Sequence, residues 1–149
     1  MKLETERLEI IPCTEETAQM AEKQSYDNGP QISMSLEMLK ADPSSMGWGA
    51  WLVIKKSDGQ VIGDIGFKGN PNVDNQVEVG YGLLKEYWNK GYATEAVGAI
   101  IQWAFATGKV DAIIAETLSD NLGSMRVLEK LNMQRVGTSE QMVNWKLVK

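Results

Sequence analysis

Hydrophobic and polar residues follow two different periods along this chain, and the switches between them predict its elements. Leu8-Glu9-Ile10-Ile11 alternates and then breaks at Pro12, which predicts a short strand. Thr14 follows as an N-cap, with Glu15 and Glu16 in the positive first turn of a helix. Thr17 stands where Glu or Gln would complete a capping box, so no full box is expected. This helix is expected to run to Asn28-Gly29-Pro30, with a short second helix over Ser35 to Ala41. The run Gly49 to Ile54 predicts a buried strand, Ser57-Asp58-Gly59 a turn, and Val61 to Phe67 the hairpin partner. After a loop at Gly69-Asn70-Pro71-Asn72, Gln76 to Leu83 alternates as a further strand, completing an antiparallel meander.

From Ala93 the period changes. Ala93, Ala96, Val97, Ile100, Ile101, Ala104 and Phe105 mark one buried face of a helix, and Gly108 follows as its stop. Asp111 to Thr117 reads as a strand buried on both faces. Ser119-Asp120-Asn121 caps a helix carrying Met125, Leu128 and Leu131, and strands near Met133 to Ser139 and Gln141 to Val148 close the chain. The strand–helix–strand passage from Gln76 to Thr117 requires a parallel pair with a right-handed crossover. The fold class is therefore α/β with a mixed sheet. A length of 149 residues predicts one domain over 1–149.

Composition narrows the chemistry. A hydrophobic content of 43% and a charged content of 23% suit a globular chain with a real core. No apolar run has membrane-spanning length, and the charged opening MKLETERLEI lacks a signal-peptide core. The single cysteine, Cys13, permits no intramolecular disulfide and fits a reducing compartment, so a cytoplasmic location is expected. A net charge of −5 argues against nucleic acid, and no membrane partner is expected either. The chain has no histidine, which removes Ser-His-Asp and Cys-His chemistry and the commonest transition-metal ligand. No metal is expected. Carboxylates, hydroxyls, backbone and a bound cofactor remain.

The candidate cofactor site is the stretch Asn89-Lys90-Gly91-Tyr92-Ala93-Thr94, where a turn leads into the crossover helix. A helix opening offers unpaired N–H groups and partial positive charge, and glycine lets backbone approach an anion closely. Both the GxxxxGK[ST] and the GxGxxG patterns are absent. By itself the turn is equally well explained by Gly91 letting the chain bend and Ala93 packing.

The segment Glu78-Val79-Gly80-Tyr81-Gly82-Leu83, continued by Tyr87-Trp88-Asn89-Lys90-Gly91-Tyr92-Ala93-Thr94-Glu95-Ala96, resembles the acetyl-CoA-binding core of the GNAT acetyltransferase superfamily. Thr5-Glu6-Arg7-Leu8 and Asn121-Leu122-Gly123-Ser124…Val127-Leu128-Glu129-Lys130-Leu131 are similar to the opening strand and late helix of its ribosomal-protein alanine N-acetyltransferase branch. The resemblance implies a mostly antiparallel sheet of six to seven strands, about four helices on its faces, and a splayed central parallel pair. It implies acetyl-CoA as co-substrate. Backbone of Tyr81, Gly82 and Leu83 would pair with the pantetheine arm, and the amides of Asn89, Lys90, Gly91, Tyr92, Ala93 and Thr94 would hold the pyrophosphate. Asn121 and Ser124 would line the cofactor. The family's late-helix tyrosine is replaced by Leu128.

Acetyl transfer to an amine needs a base, a donor to the developing oxyanion, and an acid or tolerance for the departing thiolate. An N–H in the Val79–Leu83 strand could serve the oxyanion. Glu78 is the first candidate base, Asp64 the second and Tyr81 the candidate acid. Each has a plainer alternative: a solvated strand glutamate, a satisfied turn aspartate, a packed ring. Trp48, Trp51 and Trp145 read as core, with Trp48 also a candidate wall of the acceptor pocket. Gly29 to Met46 would border that pocket. The expected function is transfer of an acetyl group to a primary amine, a protein N-terminus or a small amine, by direct attack in a ternary complex. A non-catalytic acyl-CoA-binding sensor or partner module is the alternative that Leu128 keeps open. A second copy joined through the late strands is the protein partner considered.

Overall fold

The computed structural model describes all residues, Met1–Lys149. Eight strands form one sheet: β1 (Leu3–Glu4), β2 (Leu8–Pro12), β3 (Ala50–Lys55), β4 (Val61–Phe67), β5 (Gln76–Leu83), β6 (Ala112–Leu118), β7 (Gln134–Ser139) and β8 (Met142–Val148). Their order is β1-β2-β3-β4-β5-β6-β8-β7, and only β5 and β6 are parallel. The brief β1, paired with β2 at Leu3–Ile10 and Glu4–Glu9, takes the sheet beyond the expected six to seven strands. Four α-helices cover it: α1 (Glu15–Lys23), α2 (Pro30–Ala41), α3 (Tyr92–Ala106) and α4 (Leu122–Lys130).

Apolar side chains divide between the two faces. α3 and α4 bury Val97, Ile100, Ala104, Met125 and Leu128 against Val53, Ile65, Val77, Val79 and Ile113. α1 and α2 bury Ala18, Ala21 and Ile32 against Leu52, Ile54 and Val61 on the opposite face. That second layer lies over the β2–β4 end of the sheet. β6 lies beyond it, which corrects the expectation of a strand buried on both faces: Glu116 and Leu118 are exposed while Thr117 is buried.

Two further local expectations change. Thr17 does complete a capping box, because its hydroxyl accepts the Thr14 N–H at 2.8 Å while Thr14 Oγ1 accepts the Thr17 N–H at 3.2 Å. A threonine hydroxyl reaches as a Glu or Gln would. Pro30 opens α2 instead of merely ending α1, because proline at the first helical position lacks only an N–H that would be unpaired anyway. α1 stops at Lys23, with Ser25 at a φ of 63°.

Trp48 is core. It is 3% exposed and packs its ring 4.7 Å from that of Trp103 and 5.6 Å from Phe67. Trp51 and Trp145 are buried as expected, the latter donating its indole N–H to Thr117 Oγ1 at 3.0 Å.

Candidate active site

The central strands separate where the site lies. β5 pairs with β4 along its length, from Phe67–Val79 to Gly63–Leu83, but with β6 only over Gln76–Ala112, Val77–Ile113 and Glu78–Ile114. The bonds Lys68 N–H to Glu78 C=O and Leu84 N–H to Ile62 C=O fix the alternation of β5. Even-numbered residues direct their amides at β4, so Tyr81 and Leu83 direct theirs into the opening beside β6. The Leu83 carbonyl is already taken by the Trp88 indole N–H, at 2.8 Å. Tyr81 reaches across the opening and donates its hydroxyl to the Ser124 carbonyl at 2.9 Å. Burial pushes the Tyr81 hydroxyl up to about 12, so it stays protonated at neutral pH.

At the open end of the split the chain turns into α3. Asn89 has a φ of 61°, and Gly91, the N-cap, has φ 81° and ψ 0°. None of the amides from Asn89 to Thr94 donates within the protein, and the first paired one is Glu95 N–H to Gly91 C=O at 3.1 Å. Successive free N–H groups through left-handed and right-handed conformations at a helix start form an anion-binding concavity.

This turn is held from the loop between β1 and β2. Glu95 accepts hydrogen bonds from the Thr5 hydroxyl, the Arg7 N–H at 2.9 Å and Arg7 Nε at 2.8 Å. Arg7 also donates Nη1 to the Lys90 carbonyl at 3.0 Å and stacks its guanidinium 4.2 Å from the centre of the Tyr92 ring. Burial favours a protonated Glu95, but the Thr5 and Arg7 hydrogen bonds outweigh it and hold the carboxyl below the usual glutamate range. The sequence offered Thr5, Arg7 and Glu95 within separate motifs, with no sign that they meet.

Across from this turn, on the α2 face, a cavity of about 810 Å³ opens over β4 and β5. Its walls are the loop before α2 with Tyr26 and Asp27, the α2 residues Gln31, Met34, Ser35 and Met38, and the end of β5 from Gly80 on to Leu84. Asp64 is its buried carboxylate. Val53 pairs with Gly63 and Ile54 with Val61, which leaves Ile62 as an extra residue, and this bulge aims Asp64 at α2. Tyr26 Oη donates to Asp64 Oδ2 at 2.5 Å, and Gln31 Nε2 to Oδ1 at 3.1 Å. Burial, together with the Asp64 hydrogen bond and charge, pushes the Tyr26 hydroxyl far above its ordinary value. Nothing in the sequence around Tyr26 or Gln31 marked them as partners of Asp64.

Glu78 lies on the same face as Gly80 and Gly82 but off the cavity wall, with its carboxylate 2.6 Å from Lys68 Nζ. Asn121 caps α4 by accepting the Ser124 N–H on Oδ1 at 3.1 Å, and its amide Nδ2 is left without a partner. Leu128 is fully buried among the α3–α4 core residues. Tyr81, Gly82 and Leu83 thus lie between the cavity that Asp64 lines and the opening beside β6, where Tyr81 meets Ser124; the start of α3 and Asn121 lie off the cavity wall.

Against known proteins, residues 6–134 match the family described as "Acetyltransferase (GNAT) domain". The chain belongs to the GNAT acetyltransferase family. A curated Bacillus subtilis relative, the uncharacterised N-acetyltransferase YjdG, is 33% identical over 73% of this chain. The match spans 65% of that protein's own length, so the chain covers less than two thirds of it. The ribosomal-protein-S5-alanine acetyltransferase of Vibrio fischeri superposes with a TM-score of 0.77 at 18% identity, covering 99% of this chain and 96% of that one. A RimL ribosomal L7/L12 α-N-protein acetyltransferase solved in complex with coenzyme A gives 0.77 at 11% identity, covering 99% and 98%. At those identities the structural likeness is one of GNAT fold: a mixed sheet, mostly antiparallel, with a splayed parallel pair.

Proposed function

We propose that this GNAT domain transfers an acetyl group from acetyl-CoA to a primary amine, by direct attack within a ternary complex. The observation that carries the reading is the run of unpaired amides from Asn89 to Thr94, set where β5 and β6 separate. Those amides suit a pyrophosphate, and the free N–H groups of Tyr81 and Leu83 suit an extended amide-bearing arm laid against β5. Asn121 Nδ2 is a further free donor on the opposite wall. When bound, acetyl-CoA supplies a thioester whose C–S bond gives way to the C–N bond of the new amide.

The protein's own part is to bind the acceptor, hold it beside β5 and take its proton. Asp64 is the carboxylate that lines the cavity, and register pairs it with Gly82, whose missing side chain leaves the route to β5 clear. It is therefore the base of this proposal. Glu78, bound to Lys68 at the edge of that region, would act only through an intervening water. Tyr81 stays protonated with its single O–H given to the Ser124 carbonyl, so in this reading the amine proton passes to Asp64 and the coenzyme A sulfur leaves as a thiolate. A cytoplasmic setting suits the unpaired thiol of Cys13, and no helix is long and apolar enough to cross a membrane.

Release of free thiol from acetyl-CoA, measured across a panel of primary amines, tests the assignment. Asp64→Asn should lower kcat/KM by about 10²–10⁴, the range of a positioned base, while coenzyme A affinity is retained. Glu78→Gln should cost less than about tenfold. Tight coenzyme A binding with no turnover on any amine would instead identify a non-catalytic acyl-CoA-binding module, the reading to which Leu128 points.

A further inference from the structure

We infer that the cavity takes its acceptor as a compact, monocationic primary ammonium with an apolar body, received by the Asp64 carboxylate. This inference rests on the transferase reading of the site and names the class of amine. Asp64 is only 9% exposed, yet it forms no ion pair. Its protein partners, the Tyr26 hydroxyl and the Gln31 amide, are neutral donors that orient the carboxylate and leave its charge uncompensated. Buried carboxylates are normally paired with a cation. Here the open side of Asp64 faces the cavity, so the compensating cation comes with the ligand.

The remaining walls describe the rest of that ligand. Met34 and Met38 of α2 give the cavity an apolar wall above the backbone of β4 and β5, and thioether side chains adapt to varied shapes. Ser35 already accepts the Ala50 N–H on its hydroxyl at 2.9 Å, which leaves few groups to satisfy a polyhydroxylated amine such as an amino sugar. Of the other carboxylates nearby, Glu78 is matched by Lys68, and Asp27 on the wall is exposed to solvent, where a screened charge holds a second ammonium only weakly. Beside Asp64 the floor is open: a Cβ added at Gly82 meets nothing within 4 Å. An ammonium at Asp64 therefore has an unobstructed path to the β5 amides.

The test is calorimetry on the full chain, with and without coenzyme A in its free-thiol form, using 2-phenylethylamine, 2-phenylethanol, glucosamine and spermidine as probes. The amine should bind at least tenfold tighter than the alcohol, and tighter than glucosamine or spermidine. Asp64→Asn should bring the amine and alcohol to near-equal affinity. Asp64→Glu, which retains the charge, should keep a preference for the amine. Carbon-detected NMR of the Asp64 carboxyl in the unaltered protein gives a reading that needs no variant: a shift with the amine and none with the alcohol. Equal binding of amine and alcohol, a charge preference that survives Asp64→Asn, or tighter binding of glucosamine or spermidine would overturn the proposal. Asp64-dependent amine binding without acetyl transfer would sink the transferase reading alone. Acetyl transfer to amines with no Asp64-dependent charge preference would sink this inference alone.

Discussion

Two glycines of the site are required for opposite reasons, and substitution tells them apart. Gly91 holds a left-handed φ of 81°, where a Cβ costs about 1–2 kcal/mol, and that Cβ would stand 3.3 Å from Arg7 Nη2. Gly91→Ala is expected to lower Tm and weaken coenzyme A binding together. Gly82 has no such backbone demand and its Cβ would enter open space. Gly82→Ala should leave Tm within about a degree or two and raise the KM for the amine, because the new methyl occupies the passage between Asp64 and β5. Steady-state kinetics and thermal melts on both variants check this contrast. Gly91 was legible in the sequence because it precedes a periodic helix, and glycines inside a strand, as at 80 and 82, often mark a close ligand. The setting of Asp64 was not. Tyr26 and Gln31 reach it from 38 and 33 residues away, through packing that no local pattern encodes.

Among the elements, α3, like α2, starts at a glycine without a side-chain cap. Its opening is secured instead by Glu95, in the first turn, bound to Thr5 and Arg7 of a loop some ninety residues earlier. The lowered proton affinity of Glu95 gives a signed prediction. Its contribution to stability is present above the ordinary glutamate range and is lost as pH falls through the lower folded value. Glu95→Gln should therefore reduce Tm at neutral pH and flatten the acid limb of a Tm–pH profile, while weakening coenzyme A binding through the loosened turn. The meander and the crossover helix were legible as elements because each buries a regular face. α2 was read short because Met34 and Met38 line the cavity instead of packing on the sheet, so its apolar spacing gives no single buried stripe. The splay of β5 from β6 was anticipated by resemblance, since alternation along β5 continues unbroken past the point where pairing stops.

The whole molecule offers two probes of its integrity. Cys13 is 2% exposed, and burial, followed by the charge of Asp64, pushes its thiol from 9.0 up to about 12. At pH 8 its thiolate fraction is about a thousandfold below that of an ordinary cysteine, so alkylation should proceed only through unfolded or opened molecules. A ligand that binds only the folded chain stabilises it by about 2.7 kcal/mol at a hundredfold excess over its Kd. Saturating coenzyme A should therefore slow Cys13 labelling about a hundredfold under opening-limited equilibrium conditions, and labelling unchanged by coenzyme A would show that the opening which exposes Cys13 leaves the cofactor site intact.

Only three residue pairs stitch β5 to β6, so the molecule is in effect two half-sheets sharing a short seam. Every other junction in the sheet except the small β1 hem is sewn more fully. A guest chain lying along Tyr81 and Leu83 would supply the stitches that the fold omits, and its departure would undo them. Breathing of the halves and the catalytic cycle would then be one motion, with the arrival of each new guest mending the cloth.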